Sequence, residues 1–287
     1  MDARPSWIGI LVKKKKSGVT PGYLHGYSPE EQARLVKQAR FLEPTVFENV
    51  NFSKQQKLLE VGCGVGAQTE ILLRRFPHLK IHGIDSSKPQ ITRARARLAP
   101  LVKSGRVSFE VGDALSLPYS DNTFDSAFLC WFLEHVGSPV EILRETRRVM
   151  KPSAKIYCSE VLNSSFYVHP YSPATLQYWF SFNDHQWTMK GDPFMGAKLA
   201  NYLLAAGFQN VRTEIKTHFY DNRAPKQRAE FIGYWTELLL SGAPSLIKAK
   251  LVTPKTVEAM TEELSRLKND PDAVFYYSWV QAHAEAY

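Results

Sequence analysis

The chain has 287 residues, with 36 Lys and Arg against 28 Asp and Glu for a formal net charge of +8; 44% of residues are hydrophobic and 22% charged, the balance of a globular chain and not of a disordered or collagen-like one. The longest uninterrupted apolar run, 127–133, is seven residues, against the roughly 20 that a membrane-spanning helix needs, so no membrane span is expected. Cys63, Cys130 and Cys158 are odd in number and lack C-x-x-C spacing, which argues against a disulfide framework or a zinc site and for reduced thiols in the cytoplasm.

The apolar stretch at 7–12 is followed, not preceded, by charge and is shorter than the core of a secretory leader, so it is expected to stay on the chain. Lys13, Lys14, Lys15 and Lys16 then give residues 1–25 the character of a basic arm. Its plain reading is a solvated segment, with contact to nucleic acid or anionic lipid as the alternative. Ser28-Pro29-Glu30-Glu31 has an N-cap, a Pro at the first helical position and a capping-box Glu. A helix is predicted from there, with Leu35, Val36, Ala39 and Leu42 on one face and Pro44 as its stop.

From residue 57 short apolar runs alternate with helical segments, the signature of βα units around a parallel sheet. Strands are predicted at 57–61, 80–84, 107–111, 124–129 and 155–161, with helices after Gly66, Ser87 and Pro139. The second of these helices carries a Ser87-x-x-Gln90 capping box, and Lys151-Pro152 closes the third. The aromatic-rich stretch 166–194 reads as an insertion. A helix at 196–206 stopped by Gly207, a strand at 211–220, a mostly helical region at 226–268 broken by Gly242, Pro244 and Pro254, and a strand at 274–283 complete the chain.

The segment richest in chemistry is Glu60-Val61-Gly62-Cys63-Gly64-Val65-Gly66-Ala67, where the first strand turns into the first helix of the sheet. Glycines there let the backbone approach a ligand closely. Gly62-x-Gly64-x-x-Ala67 by itself also fits a dinucleotide fingerprint, leaving NAD and another adenosine cofactor both open. Glu60, immediately before the turn, would repel a pyrophosphate and suits a cationic amino-acid moiety. Asp85 ends the second strand, where a carboxylate can accept ribose hydroxyls in either case. Gly112-Asp113-Ala114 follows the third strand, where an acid and a small residue can flank an adenine ring.

In order, Glu60-x-Gly62-x-Gly64-x-Gly66, Asp85, Gly112-Asp113-Ala114, Phe124-Asp125, Leu133-Glu134-His135 and Val149-Met150-Lys151-Pro152 resemble the successive motifs of class I S-adenosylmethionine (SAM)-dependent methyltransferases, and within them the ubiquinone/menaquinone-methylase-like branch. The match runs over about 57–161. Gly26-Tyr27-Ser28 with Arg34 and Gln38, and later His169-Pro170 and Met189-Lys190-Gly191, are similar to a bacterial and archaeal subgroup of that branch. The resemblance implies an α/β, Rossmann-like, seven-stranded class I methyltransferase sheet, its last strand antiparallel, with helical lid insertions. It implies one domain at 26–287, with the core at 57–161 and a cap from 26–50, 163–195 and 221–272.

Carried onto this chain, the resemblance assigns Glu60, Gly62, Cys63, Gly64 and Gly66 to the methionine part of SAM, Asp85 to the ribose, and Ser86 to the ribose or adenine. Asp113 and Ala114 then meet the adenine, Leu129 and Cys130 line the methyl region, and Tyr27 and Gln38 cover the cofactor. His135, His169 and His185 are the candidate catalytic residues. Methyl transfer from a sulfonium is an in-line displacement needing alignment, desolvation and, at most, a base, so no metal is expected. The Asn/Asp-Pro-Pro-aromatic tetrad of amino-methylating DNA enzymes and the paired glutamates of protein arginine methylases have no counterpart after the fourth strand, which reads Leu129-Cys130-Trp131-Phe132. A small-molecule acceptor is therefore expected as partner, with S-adenosylhomocysteine as product and a homodimer left open. An RNA or tRNA methyltransferase using the basic arm, a non-catalytic SAM-binding regulator and an NAD oxidoreductase are the competing readings.

Overall fold

Lys57–Val61 (β1) and Lys80–Asp85 (β2) pair in parallel, Lys57 opposite Lys80 and Val61 opposite Ile84, and the sheet grows outward from this pair. The computed structural model describes residues 23–287; Lys13, Lys14, Lys15 and Lys16 lie outside the described residues. Val107–Val111 (β3) adds parallel to β2, and Phe124–Cys130 (β4) and Met150–Val161 (β5) continue the parallel sheet on the other side of β1. Gln209–Tyr220 (β7) and Val274–Glu285 (β8) close it: β8 lies antiparallel between β5 and β7. The short strand Tyr167–His169 (β6) pairs with the start of β8 beyond the end of β5, an eighth strand added to the seven expected.

Alternate strand residues serve two cores, as the period-two pleat requires. Leu58, Phe128, Tyr157 and Trp279 face one cluster; their neighbours Leu59, Leu129, Cys158 and Val280 face the other. The first cluster is covered by Pro29–Val46 (α1), Ala67–Arg75 (α2), Lys88–Arg97 (α3), Pro173–Thr188 (α6), Pro225–Lys248 (α8) and Pro254–Asn269 (α9). Pro139–Val149 (α5) and Met195–Ala205 (α7) cover the second. Ala99–Lys103 (α4) is a single short turn after α3. Among the described residues no helix is long and apolar enough to cross a membrane.

Several local expectations change. Helix α1 passes through Pro44 and ends at Val46, with the Phe47 N–H still bonding Glu43 O at 3.0 Å. Val46 and Phe47 are fully buried, and burying two such side chains, at about 1.5–3 kcal/mol each, offsets the roughly 3 kcal/mol a Pro costs in a helix. The Ser87-x-x-Gln90 box does not form. Asp85 Oδ1 instead accepts the Ser87 N–H at 2.8 Å, and Gln90 Oε1 accepts Gln32 Nε2 from α1 at 3.0 Å. Helix α8 is continuous through Gly242 and Pro244. Gly242 is a packing residue there, since a Cβ would lie 2.7 Å from Leu24 and 2.8 Å from Phe182. The aromatic stretch after β5 folds as β6 and α6.

Candidate active site

The turn after β1 is built on backbone geometry that side chains would block. Gly62 has φ +73°, and a Cβ on it would fall 2.2 Å from Phe132 Cδ2; Gly64 has φ +51° with open space where its Cβ would be. These values lie in the left-handed region that glycine enters freely. Asp85 fixes the turn from the neighbouring strand end: Oδ2 accepts the Gly64 N–H at 2.9 Å and Oδ1 the Ser87 N–H at 2.8 Å. A carboxylate offers about four lone-pair directions, so each oxygen retains one for a ligand hydroxyl. Burial pushes the Asp85 carboxyl up, and the Ser87 and Gly64 N–H groups pull it back.

Glu60 is buried one residue before β1 ends, and its Oε2 accepts Thr69 Oγ1 from α2 at 2.5 Å. Burial pushes its carboxyl up to about 8; Thr69 and Arg97 oppose this and Asp85 adds to it. Beside it Gln68 donates Nε2 to Cys130 Sγ at 3.7 Å, while its buried Oε1 has no partner among the described residues.

The segment after β4 is held by a second buried carboxylate, from β5. Glu160 accepts the N–H groups of Phe132 at 3.2 Å, Leu133 at 2.7 Å and Glu134 at 3.1 Å. Burial and the nearby Glu134 carboxyl drive Glu160 well above the usual carboxyl range against those three donors. Glu134 is fixed by Gln186 Nε2 at 2.8 Å and stands 3.6 Å from His135 Nε2.

A cover closes over these strand ends. Arg34 grips Glu31 with two bonds, at 2.6 and 2.7 Å, and donates Nη1 to Gln38 Oε1 at 2.6 Å, while Tyr23 Oη donates to Glu31 Oε1 at 3.0 Å. Between cover and sheet lies a cavity of about 270 Å³. Glu60, Asp85, Ser86, Gln90 and the glycine turn line one end; Trp179, Phe182, Phe231, Trp235, Tyr277 and Trp279 line the other.

Tyr27, Gln38, Glu60, Gly62, Cys63, Gly64, Asp85, Ser86, Cys130 and His135 all line this one cavity. Other expected site residues do not. Gly66 is spent on the N-cap of α2. Asp113 accepts the Leu115 N–H at 2.9 Å in its own turn, and neither it nor Ala114 reaches the cavity wall. Leu129 belongs to the core on the far face of the sheet, because the alternation that turns Cys130 inward turns its neighbour away. His169 is exposed on β6, and His185 on α6 bonds Ser245 Oγ at 2.8 Å away from the cavity lining. Two histidines not singled out from the sequence, His25 and His218, do line it. His25 stands beside Gly26-Tyr27, already part of the cover motif, whereas His218 carries no local signal beyond its strand.

Residues 59–158 match the methyltransferase domain family. The chain is 29% identical over 138 residues to the 27-O-demethylrifamycin SV methyltransferase of Amycolatopsis mediterranei, covering 48% of this chain and 50% of that protein. It is 36% identical over 107 residues to the demethylmenaquinone methyltransferase of Thermotoga maritima, covering 37% and 44%. The chain thus spans about half the length of these curated relatives. The fold also superposes on a Haemonchus contortus phosphoethanolamine N-methyltransferase solved with S-adenosyl-L-methionine, with a TM-score of 0.55 and 17% identity over 86% of this chain and 52% of that one. At that identity the likeness is one of fold.

Proposed function

We propose, for a chain whose residues 59–158 match the methyltransferase domain family, that the cavity binds SAM and transfers its methyl group to a small-molecule acceptor. The observation that carries this reading is the polarity of one cavity: two carboxylates and an open glycine turn at one end, aromatic rings at the other. A cationic, hydroxyl-rich cofactor fits the first end, where Gln68 Oε1 is buried without a partner among the described residues and Gly64 leaves room for close backbone approach. In this reading Asp85 accepts ribose hydroxyls through its remaining lone pairs. Glu60 braces the turn through Thr69 and supplies negative potential beside the amino-acid moiety. Ser86 and Gln90 border the nucleoside, and Tyr27 and Gln38 cover it.

When bound, SAM supplies an electrophilic methyl group on a sulfonium. The chain supplies alignment and a dry chamber. Trp179, Trp235 and Tyr277 give a flat or apolar acceptor a fitting surface and attract positive charge through their ring faces. The assigned set uses no metal ligand, so EDTA is expected to leave turnover unchanged. The named relatives act, as their names say, on a rifamycin and on demethylmenaquinone, and a small organic acceptor agrees with the size and lining of the chamber.

Titration calorimetry with SAM, S-adenosylhomocysteine and NAD tests the reading, alongside mass spectrometry of a metabolite extract incubated with protein and SAM. Binding of the first two and a product heavier by one methyl group are expected. Binding of NAD alone would overturn it.

A further inference from the structure

Three histidines line the cavity, and their ring nitrogens are not equally occupied. His218 Nε2 receives the Trp279 indole N–H at 3.4 Å, and its Nδ1 lies 3.4 Å from Tyr220 Oη. His135 turns Nε2 toward Glu134 Oε1 at 3.6 Å. His25 differs. Its Nδ1 lies 2.6 Å from Ser241 Oγ on α8, and that hydroxyl also sits 2.7 Å from the Leu238 carbonyl, to which it donates. A serine hydroxyl has one proton. With that proton on Leu238 O, the hydrogen in the Ser241–His25 contact belongs to Nδ1, and Nε2 carries a lone pair. Among the described residues Nε2 makes no hydrogen bond.

The ring is placed where the cover meets the aromatic end. Its centroid is 5.6 Å from Phe182 on α6 and 5.3 Å from Tyr23, whose ring is 5.0 Å from His135 in the short turn that follows β4. The groups that bear on its charge are Arg34 on α1, itself paired with Glu31, and His135; α8 contributes the neutral Ser241 and α6 the apolar Phe182. Burial first, then Arg34 and His135, hold the imidazole well below its usual pKa, so the lone pair is present at neutral pH.

Resting on the methyl-transfer reading of this cavity, we propose that His25 Nε2 takes the proton of a hydroxyl acceptor, a phenol or an alcohol, seated at the aromatic end. The acceptor oxygen forms its bond to the methyl carbon as the methyl–sulfur bond breaks, the electron pair of that bond staying on sulfur. The O–H proton passes to Nε2 and later to solvent. The number of positive charges in the chamber does not change, because the charge lost from sulfur is gained by the imidazole. Burial and the Arg34 guanidinium hold Nε2 unprotonated before transfer and drive its new proton on to solvent afterwards. Ser241 is a positioning residue: it fixes which nitrogen carries the hydrogen.

The test uses the full chain, its His25→Ala and His25→Gln variants, SAM, and two model acceptors: 4-methylphenol, un-ionised in neutral buffer, and 4-nitrophenol, largely ionised in mildly alkaline buffer. Long-range ¹H–¹⁵N spectra of histidine-labelled wild-type protein should show Nε2 of His25 unprotonated; a protonated Nε2 overturns the proposal. SAM affinity by calorimetry should be the same in all three proteins. Formation of S-adenosylhomocysteine from 4-methylphenol should fall about a hundredfold or more in both variants, the range of general-base catalysis, with a loss below about tenfold for 4-nitrophenol, which has already shed its proton. Equal losses for the two phenols, or no turnover of either alongside normal SAM binding, overturns the role of His25. Absence of SAM binding in the wild-type protein instead removes the methyl-transfer reading itself.

Discussion

The Gly64 backbone N–H donates to Asp85 Oδ2 at 2.9 Å, so one carboxylate both shapes the glycine turn and stands ready for a ligand at the same strand ends. Replacing it with Ala removes a charged hydrogen-bond acceptor worth about 1.5–3 kcal/mol. SAM affinity is expected to fall roughly tenfold to a hundredfold, as titration calorimetry would show. Asp85→Asn keeps an acceptor for only one of the two N–H groups and should fall between wild type and Asp85→Ala. Unchanged affinity in the Ala variant would remove Asp85 from the site.

Glu60 ties stability to pH. Its carboxyl sits at about 8 in the fold, against 4.5 for an unperturbed glutamate. Between those values the native state holds a proton that the unfolded chain has lost, so stability falls as pH rises through that window, by up to about 1.4 kcal/mol per pH unit. Glu60→Gln should flatten this slope and unfold at a higher temperature near pH 8, read from thermal melts across pH. A wild-type Tm that rises through the same window would contradict the burial argument.

The same group should report cofactor binding. A cation beside Glu60 favours its ionised form, so SAM binding near neutral pH is expected to release a fraction of a proton and to tighten as pH rises toward 8. Calorimetry in buffers of different ionisation enthalpy measures this release, which Glu60→Gln should abolish.

Gly62 has no room for a side chain. With φ +73° and Phe132 Cδ2 at 2.2 Å from an added Cβ, Gly62→Ala combines left-handed strain with overpacking, about 2–5 kcal/mol together. A marked drop in Tm and weaker SAM binding are expected; Phe132→Ala in the same chain should recover part of the Tm.

Arg34 holds the cover closed. Its partner Glu31 is almost completely buried, and removing one member of a buried pair costs about 3–5 kcal/mol because a charge is left uncompensated. Arg34→Ala should raise amide hydrogen exchange through residues 23–46 more than in the β1–β5 sheet. Equal protection of the cover in both proteins would show that Arg34 does not hold it.

Much of this was legible in the sequence because the parallel sheet announces itself by pattern. β1 and β3 match their predicted bounds, and β2, β4, β7 and β8 depart from theirs by one or two residues at an end. The motif residues of the glycine turn, Asp85 and Cys130 converge on one cavity because all sit at strand carboxyl ends, where a doubly wound sheet opens its crevice. Glu160 was not foreseen. Its role is to bind three N–H groups of a segment more than 25 residues away, a relation set by strand order and not by spacing. His25 escaped notice for the same reason: its chemistry depends on Ser241, 216 positions along the chain. Pro44, Gly242 and Pro244 misled in the opposite direction, since tertiary burial outweighed their local tendency to end helices.

The position of β8 bears on how the molecule is made. It follows every other described strand in the chain, yet it lies between β5 and β7 and carries Tyr277 and Trp279 into the cavity wall. A nascent chain can assemble β1 to β5 early, but β7 has no strand beside it until β8 inserts. The chamber therefore acquires its back wall in one late step of long-range pairing, the slow kind, and ligand competence should appear together with that step rather than with collapse of the parallel sheet.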